Sequence, residues 1–162
     1  MKFLLSTFSA LTALCLSSLA AAHVTLQVRE APAGSTYRAV LQVPHGCAGE
    51  ATEVLRVRIP DGMRNVKPMP KAGWELVIIE EELAEPYTNH GNLITSRVAE
   101  VQWRGGNLAD AHYDEFILRG SLPNTPNSTL LFPTVQECAS GAERWIESET
   151  GGRYPAPRLQ LR

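Results

Sequence analysis

The chain has 162 residues, with 15 Lys and Arg against 17 Asp and Glu and a formal charge of −2. This length suits a single domain. The slightly acidic balance argues against a nucleic-acid partner, which calls for a basic stripe.

Residues 1–22 read as a cleaved signal peptide. Lys2 supplies a positive start, Phe3 to Leu19 is mostly apolar, and Ala20-Ala21-Ala22 offers a small-x-small cleavage site before His23. A spanning helix needs roughly 20 predominantly apolar residues. This run is instead dotted with Ser6, Thr7, Ser9, Thr12, Ser17 and Ser18. Leu14 fits a lipoprotein site before Cys15 poorly, so no lipid anchor is expected. The mature chain, residues 23–162, keeps 14 basic residues against 17 acidic ones, a formal charge of −3. No later segment is long or apolar enough to cross a membrane. The expectation is a soluble domain without a membrane anchor, in the periplasm or outside the cell.

Cys47 and Cys138 remain after cleavage. In an oxidising compartment an even pair most simply forms a disulfide. The loop would span 91 residues, for which chain entropy gives up to about 4–5 kcal/mol before native strain is subtracted. A copper or zinc thiolate site is the sharper alternative, although neither cysteine has a CxxC partner.

After residue 22 the hydrophobic pattern has period two, the mark of half-buried strands. Val24, Leu26 and Val28 alternate with polar residues. Tyr37, Ala39, Leu41 and Val43 share a face, and so do Leu55, Val57 and Ile59. Further strands are predicted over Trp74–Glu82, Leu93–Trp103, Tyr113–Ser121 and Thr129–Phe132. Turn chemistry at Pro44-His45-Gly46, Pro60-Asp61-Gly62, Gly105-Gly106 and Pro123-Asn124 separates them. About seven or more short strands without a long helical period predict an all-β sandwich. A short helix or turn is predicted over residues 136–147, where Ala139, Ala142 and Ile146 fall near helical spacing. The tail from Gly151 is predicted to be irregular.

A free N-terminal His23 is a chelate by itself, because its α-amine and imidazole Nδ1 can hold one metal together. Nitrogen donors suit Cu(II), which heads the affinity order of divalent first-row metals. The bland alternative is that His23 lies where the signal ended.

Several features occur in a particular order: His23 at the junction, Val43-Pro44 then Cys47, Ile59-Pro60, Gly73-Trp74, Val101-Gln102-Trp103, Tyr113-Asp114-Glu115-Phe116, Leu131-Phe132-Pro133, Gln136 and Trp145. In this order the mature chain resembles the YcnI-like copper-binding domain family over roughly residues 23–147. The resemblance implies an immunoglobulin-like, cupredoxin-like β-sandwich with a monohistidine copper brace. It implies that His23 chelates Cu(II), Glu115 completes the coordination, and Trp145 lies against the metal. It also implies partners among periplasmic PCuAC-type copper chaperones and copper-importing membrane proteins.

The residues tolerate that assignment. Glu115 shares a strand face with Tyr113 and Ile117, an unusual place for a carboxylate unless a positive charge offsets its burial. The alternative is a rim glutamate paired with an arginine such as Arg119. Trp145 has a neutral indole N–H that donates and does not coordinate, so its roles would be cation–π contact and exclusion of water. Its commoner use is as a core anchor. His45 and His90 sit in turn-like stretches and are expected to be solvated. His112 is the rival ligand of a two-histidine brace, but in an unbroken strand residues 112 and 115 face opposite ways. Met63 and Met69 lack a histidine partner nearby and make no methionine-rich copper tract. Asn127-Ser128-Thr129 is a sequon, discounted beside a bacterial-type signal.

The leading expectation is a Cu(II)-binding protein of copper trafficking or homeostasis, without turnover. A copper-dependent oxidative enzyme with a two-histidine brace is an alternative. A structural sandwich without metal is another.

Overall fold

The computed structural model describes residues 23–162; the expected signal segment, residues 1–22, lies outside the described residues. The described chain is all-β. Its strands are β1 (Thr25–Leu26), β2 (Glu30–Ala31), β3 (Thr36–Val43), β4 (Thr52–Arg58), β5 (Arg64–Pro68), β6 (Glu75–Asn89), β7 (Asn92–Leu108), β8 (Asp114–Ser121), β9 (Thr129–Leu131), β10 (Thr134–Cys138), β11 (Ala142–Trp145) and β12 (Arg158–Leu161). Two main sheets form a sandwich, one in the order β1-β3-β8-β5 and the other β11-β10-β4-β7-β6. A small sheet, β2-β12-β9, accompanies them.

Period-two alternation explains which side chains meet between the layers. Leu41, Phe116 and Leu118 come from the first sheet, and Leu55, Val57, Val101 and Trp103 from the second; all are buried in one core cluster. Contact across the layers is direct, since the rings of Trp103 and Phe116 lie 5.4 Å apart in an edge-on arrangement. The Trp103 indole N–H also donates to the Met69 carbonyl at 3.0 Å, so its one polar atom is satisfied.

The long β6–β7 hairpin turns on two residues. Asn89 pairs with Asn92, and His90 and Gly91 between them have φ of +47° and +80°. Such positive angles belong to a type I′ hairpin turn and favour Asn, His and Gly.

Three sequence expectations are corrected here. The short helix over residues 136–147 is replaced by the β10–β11 hairpin, in register from Thr134↔Trp145 to Glu137↔Ala142. Ala139 and Ala142 are exposed, and Ile146 is 48% exposed, so the three share no buried face and a helix there would have nothing to pack. Gly105-Gly106 does not end a strand but lies inside β7, where four steps of β7 span two of β4 between Thr52↔Leu108 and Val54↔Arg104. The indole of Trp74 lies over Gly106, where an added Cβ would come within 2.0 Å of it. The tail is not wholly irregular. β12 pairs in parallel with β2 and antiparallel with β9, and buries Leu159 and Leu161.

Candidate metal centre

His23 lies two residues before β1, the edge strand of the first sheet. Leu26 is buried in the core, so alternation turns Thr25 to the outer face, while His23, ahead of the strand, sets its ring against Trp145. Thr25 is opposite Gln42 on β3, and Gln42 is opposite Glu115 on β8. The three residues form a row across the outer face of the sheet.

Glu115 is half-buried there. Its Oε1 accepts from Gln42 Nε2 at 3.3 Å and from the Tyr113 hydroxyl at 3.2 Å. Bonding to this carboxylate, together with its charge, holds the Tyr113 phenol above its ordinary pKa. The apolar burial expected around Glu115 is weaker than its sequence neighbours suggested, because Tyr113 is 60% exposed. Arg119 is not among its bonding partners. Beneath it, Lys71 Nζ bridges Asp114 Oδ1 at 2.7 Å and the Glu115 carbonyl at 3.1 Å.

Trp145 ends β11, the edge strand of the opposite sheet, and is only 3% exposed. It is a core residue, as the commoner reading of a tryptophan would have it. Its Nε1–H donates to Gln136 Oε1 at 3.2 Å, and Gln136 Nε2 donates to Thr52 Oγ1 at 2.7 Å and to the His45 carbonyl. Gln136 is itself buried, so this chain fixes which way its amide points. The ring of Trp145 lies between two others, His23 at 5.3 Å and Tyr154 at 5.3 Å, centroid to centroid.

Cys47 and Cys138 form a disulfide with Cα atoms 6.0 Å apart. It ties the β3–β4 loop to the end of β10, one hairpin away from Trp145. Glu50 clamps the same corner, accepting from Ser140 N at 2.9 Å and Ser140 Oγ at 2.7 Å. Those bonds hold its carboxyl below the ordinary range.

The fold therefore brings His23 and Trp145 together, while Glu115 lies on the outer face of the first sheet. It does not join Glu115 to His23, and among the described residues no three His, Cys, Asp or Glu side chains gather as a metal cluster. His112 is exposed in the turn before β8. Since β8 starts at Asp114, the strand argument separating residues 112 and 115 does not extend to it. His90 is exposed, as expected, whereas His45 is partly buried and its Nε2 is buried without a partner. Tyr154 escaped the sequence reading because it lies in a Pro- and Gly-rich tail. Gln136 stood out only through the resemblance, and nothing in its strand pattern marked it as the partner of an indole.

The donor types suit Cu(II): imidazole and carboxylate are borderline-to-hard ligands. Trp145 offers only its ring face, since its N–H is committed to Gln136. Residues 23–161 match the model of a family described as "Domain of unknown function (DUF1775)". The fold is similar to that of an uncharacterized protein from Nocardia farcinica, whose crystal structure is described as revealing an immunoglobulin-like fold. That likeness has a TM-score of 0.64 and 20% identity over 86% of this chain and 97% of the other. No curated protein matches the chain.

Proposed function

The chain belongs to the DUF1775 family, and from that premise we propose an exported Cu(II)-binding protein of the YcnI-like kind. It acts in copper trafficking or homeostasis in the periplasm and carries out no turnover. One observation carries the reading, the setting of His23. The family match begins at this residue, three alanines precede it, and its imidazole lies 5.3 Å from a buried indole.

Copper, when bound, supplies a Lewis-acidic centre that can change oxidation state. His23 would hold it through the α-amine and Nδ1. Glu115 would contribute negative charge from the outer face of the first sheet, its carboxylate oriented by Gln42 and Tyr113. Trp145 presents its ring face and excludes water, with Tyr154 behind it. Signal cleavage frees the His23 amine, which is half of the chelate. Both ligands must be deprotonated to bind, so acid should weaken the affinity. Metal delivery and collection would involve PCuAC-type chaperones or copper-importing membrane proteins.

The test is mass spectrometry, copper titration and electron paramagnetic resonance on protein exported through its own signal. The expected result is a chain starting at His23 that binds one Cu(II) with nitrogen hyperfine coupling, and that forms no more peroxide with ascorbate than its copper-free form. A different start, or no copper bound, overturns the reading. Peroxide production above that background replaces it with the oxidative enzyme.

A further inference from the structure

We propose that the cleft beside His23 binds a small carboxylate anion, gripped by Arg29 and Arg158. The cleft encloses about 310 Å³ and is lined by His23, Arg29 and Arg158 together with apolar residues, among them Val24, Leu26 and Ala156. Those three apolar residues are buried and form its floor. No acidic side chain lines it.

Lining the cleft, and not the lack of an acidic partner alone, sets these two arginines apart. Arg56, Arg58, Arg97 and Arg162 each face an Asp or Glu. Among the described residues neither Arg29 nor Arg158 has a carboxylate partner. Arg29 donates through Nε to the Leu26 carbonyl at 3.4 Å, and Arg158 through Nη2 to the Ser148 carbonyl at 2.8 Å. Each guanidinium carries five N–H donors in a rigid fork, so most of them are left for a ligand.

The floor decides what kind of anion fits. A volume near the lower end of the usual range for ligand sites, with apolar walls and a few convergent polar groups, suits a small organic molecule. A carboxylate can turn its two oxygens to the arginines and its carbon body to Val24 and Leu26. A tetrahedral oxyanion would press further oxygens on that floor, where no donor compensates their lost hydration. The anion would lie beside His23, so copper could arrive or leave as a carboxylate complex. That consequence rests on the proposed copper site; the binding of the anion does not.

The test uses copper-free mature protein titrated by calorimetry with butyrate, isobutyrate and inorganic phosphate. Butyrate or isobutyrate should bind and phosphate should bind more weakly. Arg29→Ala and Arg158→Ala should each weaken carboxylate binding about ten-fold or more, the scale of a lost charge-assisted bond. Arg158→Lys keeps the charge and much of the packing but loses the fork, so it should fall between Arg158→Ala and the parent. Arg119→Ala, on β8, should change nothing. No carboxylate binding, phosphate binding as tightly as the carboxylates, or binding indifferent to both arginines overturns the proposal. Copper titration of the same preparations tests the metal site separately, so the failure of one does not masquerade as failure of the other.

Discussion

The imidazole of His23 and the indole of Trp145 lie 5.3 Å apart with their planes inclined at 52°. The first residue precedes the edge strand of one sheet, and the second ends the edge strand of the other. Contact between them therefore closes one margin of the sandwich. It also couples the candidate chelate to a core residue whose position is set by a buried hydrogen-bond chain.

This contact predicts a fluorescence response. Cu(II) bound at His23 should quench Trp145 emission, and Trp145→Phe should remove that component while retaining much of the affinity. Adding one residue ahead of His23 breaks the chelate into a single imidazole donor. Affinity should then fall by about a hundred-fold or more, the usual scale for losing an intramolecular second contact. Unchanged affinity in the extended protein would remove the N-terminus as the site.

Glu115 faces outward, so changing it should affect the metal more than the fold. Glu115→Gln should weaken Cu(II) binding and alter its paramagnetic spectrum, while shifting stability by no more than about 0.5 kcal/mol. His112→Ala should do neither. If His112→Ala abolishes binding and Glu115→Gln leaves it intact, a two-histidine brace takes the place of the monohistidine one.

Gln136 satisfies the Trp145 indole from within the core. Gln136→Leu leaves the indole N–H, Thr52 Oγ1 and the His45 carbonyl without this partner. Leaving a buried group unsatisfied costs about 1–3 kcal/mol. Urea unfolding should show a loss on that scale, with a change in Trp145 emission before any copper is added. An unchanged midpoint would mean that water replaces the amide.

The disulfide predicts no free thiol in unfolded, unreduced protein. Cys47→Ser/Cys138→Ser should lower stability by up to about 4–5 kcal/mol on the chain-entropy account of a loop this long. Guanidinium unfolding measures it, and a loss near zero would assign the bond no role in stability.

Burial pushes the Tyr37 phenol up to about 12, and its hydroxyl donates to the Val28 carbonyl. The folded value lies above the unfolded one of about 10. The stability it contributes is therefore complete below pH 10 and is lost as pH rises through about 12. Tyr37→Phe should flatten that alkaline loss, measured as unfolding midpoints at pH 9 and above pH 11. A loss of stability with the same alkaline slope in both proteins would assign the titration to another group.

The sequence by itself determined the all-β class, the inward faces of β3 and β4, the Cys47–Cys138 pairing and His23 as the residue of interest. Each is a local signal: alternation states which side of a strand is apolar, and the two cysteines outside the expected signal segment make one pair. Tertiary structure decided which strands are neighbours, and with them the surroundings of every candidate residue. β5 is mostly exposed and polar, so it carries no apolar alternation to read; its place comes from pairing with β8. β12 has a legible Leu159/Leu161 alternation, yet its four residues are ordered by β2 and β9 on either side. Spacing also made a helix of the segment before Trp145, because Ala139, Ala142 and Ile146 fit period 3.6 while their exposure was unknown. The row Thr25–Gln42–Glu115, the bond from Trp145 to Gln136 and the cleft between Arg29 and Arg158 join residues far apart in sequence. Strand register and sheet order create those contacts, and periodicity specifies a face without specifying a partner.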